Sequence, residues 1–229
     1  MKKKSFEKEK GASDLLAYYV HRPVENWITL RLTCTSVTPN QITLMVNLLA
    51  YLVAALYFFG YLLQGSLLSF LVGLIDGLDG KLARAKNQTS KLGKMEHAFD
   101  LLFEFTWLIM LALYLQRSSG NSLPLVLTSF SILFISFYRY CYDTFSRTMG
   151  TSLDTYGDFE KIFRRVAGRR NLYNIHIFIG VLIGFPLYSL MSVMVHAMLT
   201  AIIYAWRTAN HLHAADIKEQ LTVYQKIEK

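Results

Sequence analysis

Long apolar runs constrain this chain more than any other feature of its sequence. They cover about residues 42–63, 67–82, 99–115 and 123–137, and a longer stretch covers 172–206. A helix needs about 20 mainly apolar residues to cross the hydrocarbon core of a bilayer. Charged residues make up 17% of the chain, whereas soluble domains carry about a quarter. The sequence therefore predicts a helical membrane protein and argues against a disordered chain, an ordinary cytosolic enzyme or a nucleic-acid-binding domain.

The number of spans depends on how the longest apolar stretch is divided. A Gly-Phe-Pro turn at 184–186 interrupts 172–206 near its middle, so we interpret this stretch as two short spans, which makes six. Before the first span, residues 14–32 repeat apolar side chains at helical spacing around Pro23, which indicates an amphipathic helix in the membrane interface. The expected fold is all-α, a polytopic membrane protein with six transmembrane helices preceded by this interfacial helix.

This layout divides the chain into three segments and sets its orientation. Residues 1–40 would hold a cytoplasmic tail and the interfacial helix, 41–207 the six-helix membrane catalytic domain, and 208–229 a cytoplasmic C-terminal tail. All but one of the 24 Lys and Arg residues lie in segments that six spans place on one side. The exception is Arg117, in the second of the predicted opposite loops at 64–66, 116–122 and 184–186. The positive-inside rule puts the basic side and both termini of this cell-membrane protein in the cytoplasm.

Four carboxylates are placed where two consecutive predicted helices meet that side. Asp76 and Asp79 are three residues apart, and Glu96 and Asp100 are four apart, so each pair shares one helical face. If the two helices are antiparallel neighbours, all four carboxylates meet at the cytoplasmic edge of the membrane. Without cations they would repel one another, whereas Mg²⁺ or Mn²⁺ would bind them. Two such ions could hold a diphosphate.

The residues around these acids suit a phosphate-bearing ligand. Gly80 and Ala83 continue along the acidic face and leave room for a bulky group. Arg84 follows one turn later with a planar fork of donors for phosphate oxygens. The alternative is that the acids form ion pairs with Lys81, Arg84 and Lys94 in a solvated loop.

A family signature matches this pattern. The signature of the CDP-alcohol phosphotransferases is D-x2-D-G-x2-A-R-x8-G-x3-D-x3-D, and this chain resembles it at Asp76, Asp79, Gly80, Ala83, Arg84 and Gly93. The Thr-Pro-Asn segment at 38–40 and the predicted six-span layout are also similar to the family. The resemblance covers about residues 22–207.

The last two acids of the signature are displaced in this chain. Strict spacing places His97 and Leu101 where the family has aspartates, whereas a turn one residue shorter places Glu96 and Asp100 there. We prefer the second register, because leucine can neither bind a metal nor accept a proton. In the other register His97 would be a ligand and the general base would be missing. Glu104, one turn beyond Asp100, either compensates for the displacement or is a buried interhelical acid.

The resemblance implies a transfer reaction in phospholipid biosynthesis. A phosphate-linked group would move from a CDP-linked lipid, or another CDP-alcohol, to the hydroxyl of a small polar acceptor, with release of CMP. Asp100 would be the catalytic base. Two Mg²⁺ or Mn²⁺ ions would be held by Asp76, Asp79, Glu96 and Asp100. The nucleotide would contact Asp76, Gly80, Ala83 and Arg84. The resemblance also implies a homodimer surrounded by membrane lipids.

The basic segment 139–171 gives the best indication of the acceptor. Arginine forks bind phosphate through two parallel hydrogen bonds, and the candidates are Arg139, Arg164, Arg165, Arg169 and Arg170. This stretch looks similar to that of family members that use inositol phosphate, although glycerol phosphate would satisfy the same charges. The alternative is a loop that contacts anionic lipid.

Three rival classes of protein remain open at this stage. One is a divergent, non-catalytic relative that binds a CDP-lipid, and the displaced acids are its main support. Another is a magnesium-dependent membrane prenyltransferase, whose aspartate motifs are spaced differently. A transporter would need charges near the membrane midplane, whereas these acids cluster at one edge. The two cysteines, Cys34 and Cys141, match neither metal spacing nor a disulfide framework, and we assign them no role.

Overall fold

The computed structural model describes residues 17–89 and 95–227 of the chain. Over these residues the secondary structure is helical and contains no strand. One turn of π-helix, Ala17–His21, leads into ten α-helices in this part of the chain. Their bounds are α1 Arg22–Leu32, α2 Pro39–Phe58, α3 Leu62–Ile75, α4 Leu78–Ala85, α5 Glu96–Ser119, α6 Leu123–Met149, α7 Leu153–Tyr156, α8 Asp158–Phe163, α9 Arg170–Leu182 and α10 Pro186–Ile227. The predicted all-α fold is confirmed.

Six of these helices form a closed ring. In order around the ring, α2, α5, α6, α10, α9 and α3 each pack against the next, and α3 packs against α2 again. Large aromatic side chains fill the contacts between them, including Trp107, Tyr57 and Tyr173. The indole N–H of Trp107 donates to the carbonyl of Ala50 at 2.6 Å, which ties α5 to α2. The ring leaves α4 at one end, against α2 and α1.

Five helical segments are long and apolar enough to cross a membrane, by length and composition. They are Pro39–Phe58, Leu62–Ala85, Ala98–Ser119, Leu123–Met149 and Pro186–Thr222. The sixth member of the ring, α9, has 13 residues and is therefore about 20 Å long, shorter than the roughly 30 Å hydrocarbon core. Membrane character is thus supported by five segments, and a sixth span remains a prediction.

The predicted break at 184–186 is confirmed, but two other predicted boundaries are wrong. The first span ends at Phe58 and not at residue 63, because the chain turns at Gly60 with φ of +87°, a conformation that glycine adopts readily. The ring of Tyr114 packs so closely on Gly60 that a Cβ there would lie 2.4 Å from it. The next helix then starts at Leu62, so residues 64–66 are helical and not a loop.

Helix α1 turns its polar side toward the protein. His21, Glu25 and Thr29 are buried, whereas Trp27 and Leu30 are 61% and 54% exposed. The buried side contacts α3 and α4. A helix that rests in the membrane interface requires an outward apolar side of this kind; its location in the interface stays a prediction.

Helix α10 continues well beyond the ring. Its 42 residues give a length of about 63 Å, and Thr208 is the last of its described residues to be buried. Most of the segment predicted as a C-terminal tail therefore continues this helix, as far as Ile227.

Candidate active site

A break between α3 and α4 shapes the site. Asp76 and Gly77 separate the two helices. Asp76 is the C-cap residue of α3, and Asp79 lies in the first turn of α4. The two aspartates therefore do not lie on one uninterrupted helix. The carboxylate of Glu25 approaches Gly77 so closely that a Cβ there would lie 2.7 Å from Glu25 Oε1. The same carboxylate pairs with Lys81 at 2.9 Å, and Lys81 also donates to Asn26 at 2.6 Å. Helix α1 therefore holds the start of α4 in place.

The carboxylate of Asp79 is held at both oxygens. It is 4% exposed. The hydroxyl of Thr43, in α2, donates to Oδ2 at 2.6 Å, and the backbone N–H of Gly80 donates to Oδ1 at 2.6 Å. Sequence reasoning missed Thr43. Its only signal is a hydroxyl one turn into an apolar span, after the Thr-Pro-Asn segment.

Arg170 brings two further acids together from different helices. Its Nη2 pairs with Oδ2 of Asp76, and its Nη1 lies 3.7 Å from Oδ1 of Asp100 in α5. The guanidinium also lies over the ring of Phe103, 4.8 Å from its centroid. The Arg170 side chain is 14% exposed. Of the five arginines predicted to meet the acceptor, this one stands beside the motif acids.

The donor set of the site suits a hard divalent cation. Asp76, Asp79 and Asp100 supply the carboxylate oxygens that Mg²⁺ and Mn²⁺ prefer. The guanidinium between Asp76 and Asp100 shows that the fold places positive charge between carboxylates here. Among the side chains that the structure describes, no three acids, histidines or cysteines lie close enough together to hold a metal ion.

The fourth predicted metal ligand cannot be placed in the same way. Glu96 begins α5, but its side chain and that of His97 lie outside the described residues, as do Gly93 and Lys94. Asp100 is the acid that shares Arg170 with Asp76. The register that pairs Glu96 with Asp100 stays a prediction.

The residues predicted to meet the nucleotide share the open face of α4. Gly80, Ala83 and Arg84 are partly exposed, whereas Asp79 and Leu82 on the other face are buried. Nη1 of Arg84 lies 3.4 Å from the position that a Cβ at Gly80 would take, so the guanidinium covers the glycine. This face of α4 therefore carries a guanidinium fork, whose geometry matches that of a phosphate group.

Two of the other predicted acceptor arginines pair with acids outside the motif. Arg139 pairs with Glu104, which is buried, and so joins α6 to α5. Of the two alternatives for Glu104, the structure supports the interhelical acid. Arg164 pairs with Asp154 at 2.9 Å. Arg165 is exposed and Arg169 is partly buried.

Comparison with known proteins identifies the family of this helical ring and its acidic site. The chain belongs to the CDP-alcohol phosphatidyltransferase family, whose sequence model matches residues 36–206. The family that the motif resembles, with its class of enzyme, is thereby confirmed.

Two curated relatives cover part of the chain. Over 117 residues it is 33% identical to the bifunctional IPC transferase and DIPP synthase of Aquifex aeolicus, an alignment that covers 48% of this chain and 27% of that protein. Over 166 residues it is 26% identical to the protein of the same name from Archaeoglobus fulgidus, covering 71% of this chain and 31% of that protein. The chain therefore spans less than a third of the length of either relative.

A solved structure shares the fold. It is the phosphatidylinositol phosphate synthase of Mycobacterium tuberculosis with CDP-DAG bound, which superposes with a TM-score of 0.59 at 17% sequence identity. The match covers 84% of this chain and 92% of that one.

Proposed function

We propose that this protein moves a phosphate-linked lipid group from a CDP-linked lipid to a hydroxyl of inositol phosphate and releases CMP. The observation that carries the proposal is the meeting of Asp76 and Asp100 on Arg170, beside the held carboxylate of Asp79. A new bond forms between the acceptor oxygen and the lipid-side phosphorus. The bond from that phosphorus to CMP breaks, and the acceptor proton passes to Asp100.

The donor side rests on family membership and on the open face of α4. Gly80 lets the Arg84 guanidinium lie close to the backbone there, and this guanidinium would bind a phosphate of the donor. The structural neighbour in Mycobacterium tuberculosis carries CDP-DAG, which supports a CDP-lipid for this chain.

The acceptor side rests on two arginines and on the names of the relatives. Arg139 and Arg170 each stand beside a carboxylate, which fixes the direction of their donors. Two relatives are named as IPC transferases and DIPP synthases and the neighbour as a phosphatidylinositol phosphate synthase. These names favour a phosphorylated inositol over glycerol phosphate.

The acids would also hold the metal ions. Asp76, Asp79 and Asp100, with Glu96 at the start of α5, are the carboxylates available for two Mg²⁺ or Mn²⁺ ions. When bound, such ions neutralise the negative charge of the diphosphate and of departing CMP. Asp100 also accepts the proton of the acceptor hydroxyl, a role for which a carboxylate near ions and other acids is suited. The homodimer implied by the resemblance remains a prediction.

The test is CMP release by the purified protein in lipid bilayers. CDP-diacylglycerol is offered with inositol phosphate, glycerol phosphate, inositol or serine, with Mg²⁺, Mn²⁺ or a chelator. We expect metal-dependent release that is fastest with inositol phosphate and is abolished in Asp100→Asn. Glu219→Gln, an exposed acid on the extension of α10, is the matched control and should keep full activity. Release that survives chelation, or that proceeds equally well with unphosphorylated inositol, would contradict the proposal.

A further inference from the structure

Glu104 is a buried acid that the family signature does not include. It lies within the membrane-spanning segment Ala98–Ser119 and is 3% exposed. Ionisable residues inside membrane helices are costly and are usually paired or functional. Glu104 follows Asp100 by four residues, so the two carboxylates lie on one face of α5.

One oxygen of Glu104 anchors an arginine whose other atoms are accessible. Oε2 of Glu104 accepts a hydrogen bond from Nη2 of Arg139. The side chain of Arg139 is 35% exposed, whereas that of Glu104 is 4% exposed. Glu104 thus fixes one nitrogen of the Arg139 guanidinium, and part of the guanidinium remains accessible to a ligand.

The second oxygen of Glu104, Oε1, is buried and makes no hydrogen bond to the described residues. Glu104 lies within electrostatic range of Arg170 and of the hydroxyl groups of Tyr138 and Tyr173. Those hydroxyls are 3.3 Å apart, and Tyr138 donates to the carbonyl just before the Arg169–Arg170 pair at 2.8 Å. Glu104 therefore contacts one arginine of the proposed acceptor site, Arg139, and lies within electrostatic range of the other, Arg170.

We propose that Glu104 is a positioning residue for the acceptor phosphate, acting through Arg139. It fixes the guanidinium so that the remaining donors of Arg139 meet the phosphate together with Arg170. The proposal rests on the proposed function, because it assumes a phosphorylated acceptor at these two arginines. The rival explanation is that the ion pair only fastens α5 to α6.

Steady-state kinetics separates the two explanations. A purely structural ion pair changes the fraction of folded enzyme, which lowers kcat for every substrate and leaves KM unchanged. A positioning residue changes KM for the phosphorylated acceptor. Loss of a charge-assisted hydrogen bond corresponds to roughly tenfold or more in that constant.

The experiment compares wild type with Glu104→Gln, Glu104→Asp and Arg139→Gln in lipid bilayers. We expect Glu104→Gln to raise KM for inositol phosphate roughly tenfold while KM for CDP-diacylglycerol stays unchanged. Glu104→Asp keeps the charge and should recover most of the loss. Adding Glu104→Gln to Arg139→Gln should cost nothing further, because the two residues act as a unit. Glu219→Gln is again the matched control.

Binding is measured beside turnover so that the two proposals fail separately. Stabilisation of the purified protein by inositol phosphate, followed as the thermal midpoint, should be lost in Glu104→Gln. If wild type releases CMP but Glu104→Gln keeps its KM, the role of Glu104 is overturned and the proposed function stands. If wild type is stabilised by inositol phosphate without releasing CMP, the proposed function is overturned, and Glu104 is judged by whether its variant loses that stabilisation. If wild type neither turns over nor binds inositol phosphate, both are overturned.

Discussion

Single hydrogen bonds decide how the acids of the site are oriented. Asp79 receives one from a side chain 36 residues away, the hydroxyl of Thr43. Outer partners of this kind orient carboxylates that bind metal ions, and removing them typically costs about 10–100-fold in metal affinity or activity.

Replacement of Thr43 tests this orienting hydrogen bond. Thr43→Val keeps the shape of the side chain and removes the donor to Asp79. We expect CMP release to fall roughly tenfold and the metal concentration for half-maximal activity to rise. The measurement is a metal titration of activity. Thr43→Ser keeps the hydroxyl and should stay close to wild type; equal losses in both variants would show that packing, and not the hydrogen bond, is responsible.

Replacement of Arg170 tests the bridge between Asp76 and Asp100. In Arg170→Lys a single ammonium replaces a fork that reaches both acids. One of these partly buried acids then loses its contact with the guanidinium, which we expect to cost about 2 kcal/mol of stability. Thermal unfolding in detergent is the measurement. Arg165→Lys, at an exposed position, should unfold like wild type, and an Arg170→Lys midpoint equal to that of Arg165→Lys would rule out the bridge.

At the scale of the element, short helices position long ones. Helices α7 and α8 contain only four and six residues, yet both carry buried acids that pair with arginines. Asp154 in α7 pairs with Arg164, and Glu160 in α8 pairs with Arg207 of α10. These ion pairs attach the basic segment before α9 to α10. Helix α9 follows that segment directly and begins at Arg170.

The contact of α8 with α10 should depend on pH. Burial raises the pKa of Glu160, but hydrogen bonds from Arg207 and His211 outweigh burial and hold the pKa below its ordinary value of 4.5. A pKa that is lower in the folded state stabilises the fold above the unfolded-state value, and this contribution is lost as the pH falls through the folded-state value. We therefore expect Glu160→Gln to cost about 2 kcal/mol at neutral pH.

Thermal midpoints measured over a range of pH check this expectation. The difference between wild type and Glu160→Gln should shrink as the pH falls below 4.5. Asp158→Asn is a suitable comparison, because the side chain of Asp158 is 94% exposed and its variant should show little difference at any pH. A gap for Glu160→Gln that stays constant or widens in acid would exclude a stabilising ionised Glu160.

At the scale of the whole molecule, the predicted topology places the basic segments of the chain at one end of the helix ring. Cys34 is exposed and lies between α1 and α2, in a segment predicted to be cytoplasmic. In a Cys141→Ser background, a membrane-impermeant maleimide should label Cys34 in inside-out vesicles and leave it unlabelled in right-side-out vesicles. The reverse pattern would overturn the predicted orientation. Cys34→Ser in the same background controls for labelling elsewhere.

The sequence alone predicted those features of the fold and the site that depend on residues close together in the chain. Apolar runs located the ring helices, and the spacing of Asp76, Asp79 and Asp100 located the acids, because both patterns are read within a few turns. The end of the first span was misplaced because one glycine, Gly60, turns the chain inside an apolar run. The hydroxyl of Thr43 could not be foreseen because its partner is distant in sequence.

The electrostatics of the site depends on contacts between distant parts of the chain. The basic segment 139–171 identified Arg170 as one of five candidates, but no spacing rule connects it with Asp76. The sequence also did not predict that the polar side of α1 faces the protein. Glu25 and Lys81 pair across 56 residues of sequence, and composition alone does not show which side of a helix contacts the rest of the protein.

The distance along the chain between Asp76 and Arg170 has a consequence for biosynthesis. The two residues are 94 positions apart. At a synthesis rate of about 5–20 residues per second, the ribosome reaches the arginine roughly 5–20 s after the aspartate. During that interval the carboxylate of Asp76, which is predicted to lie at the membrane edge, must remain there without its eventual counter-charge. Helix α9, which begins at Arg170, thus completes the charge balance of a motif that was synthesised much earlier.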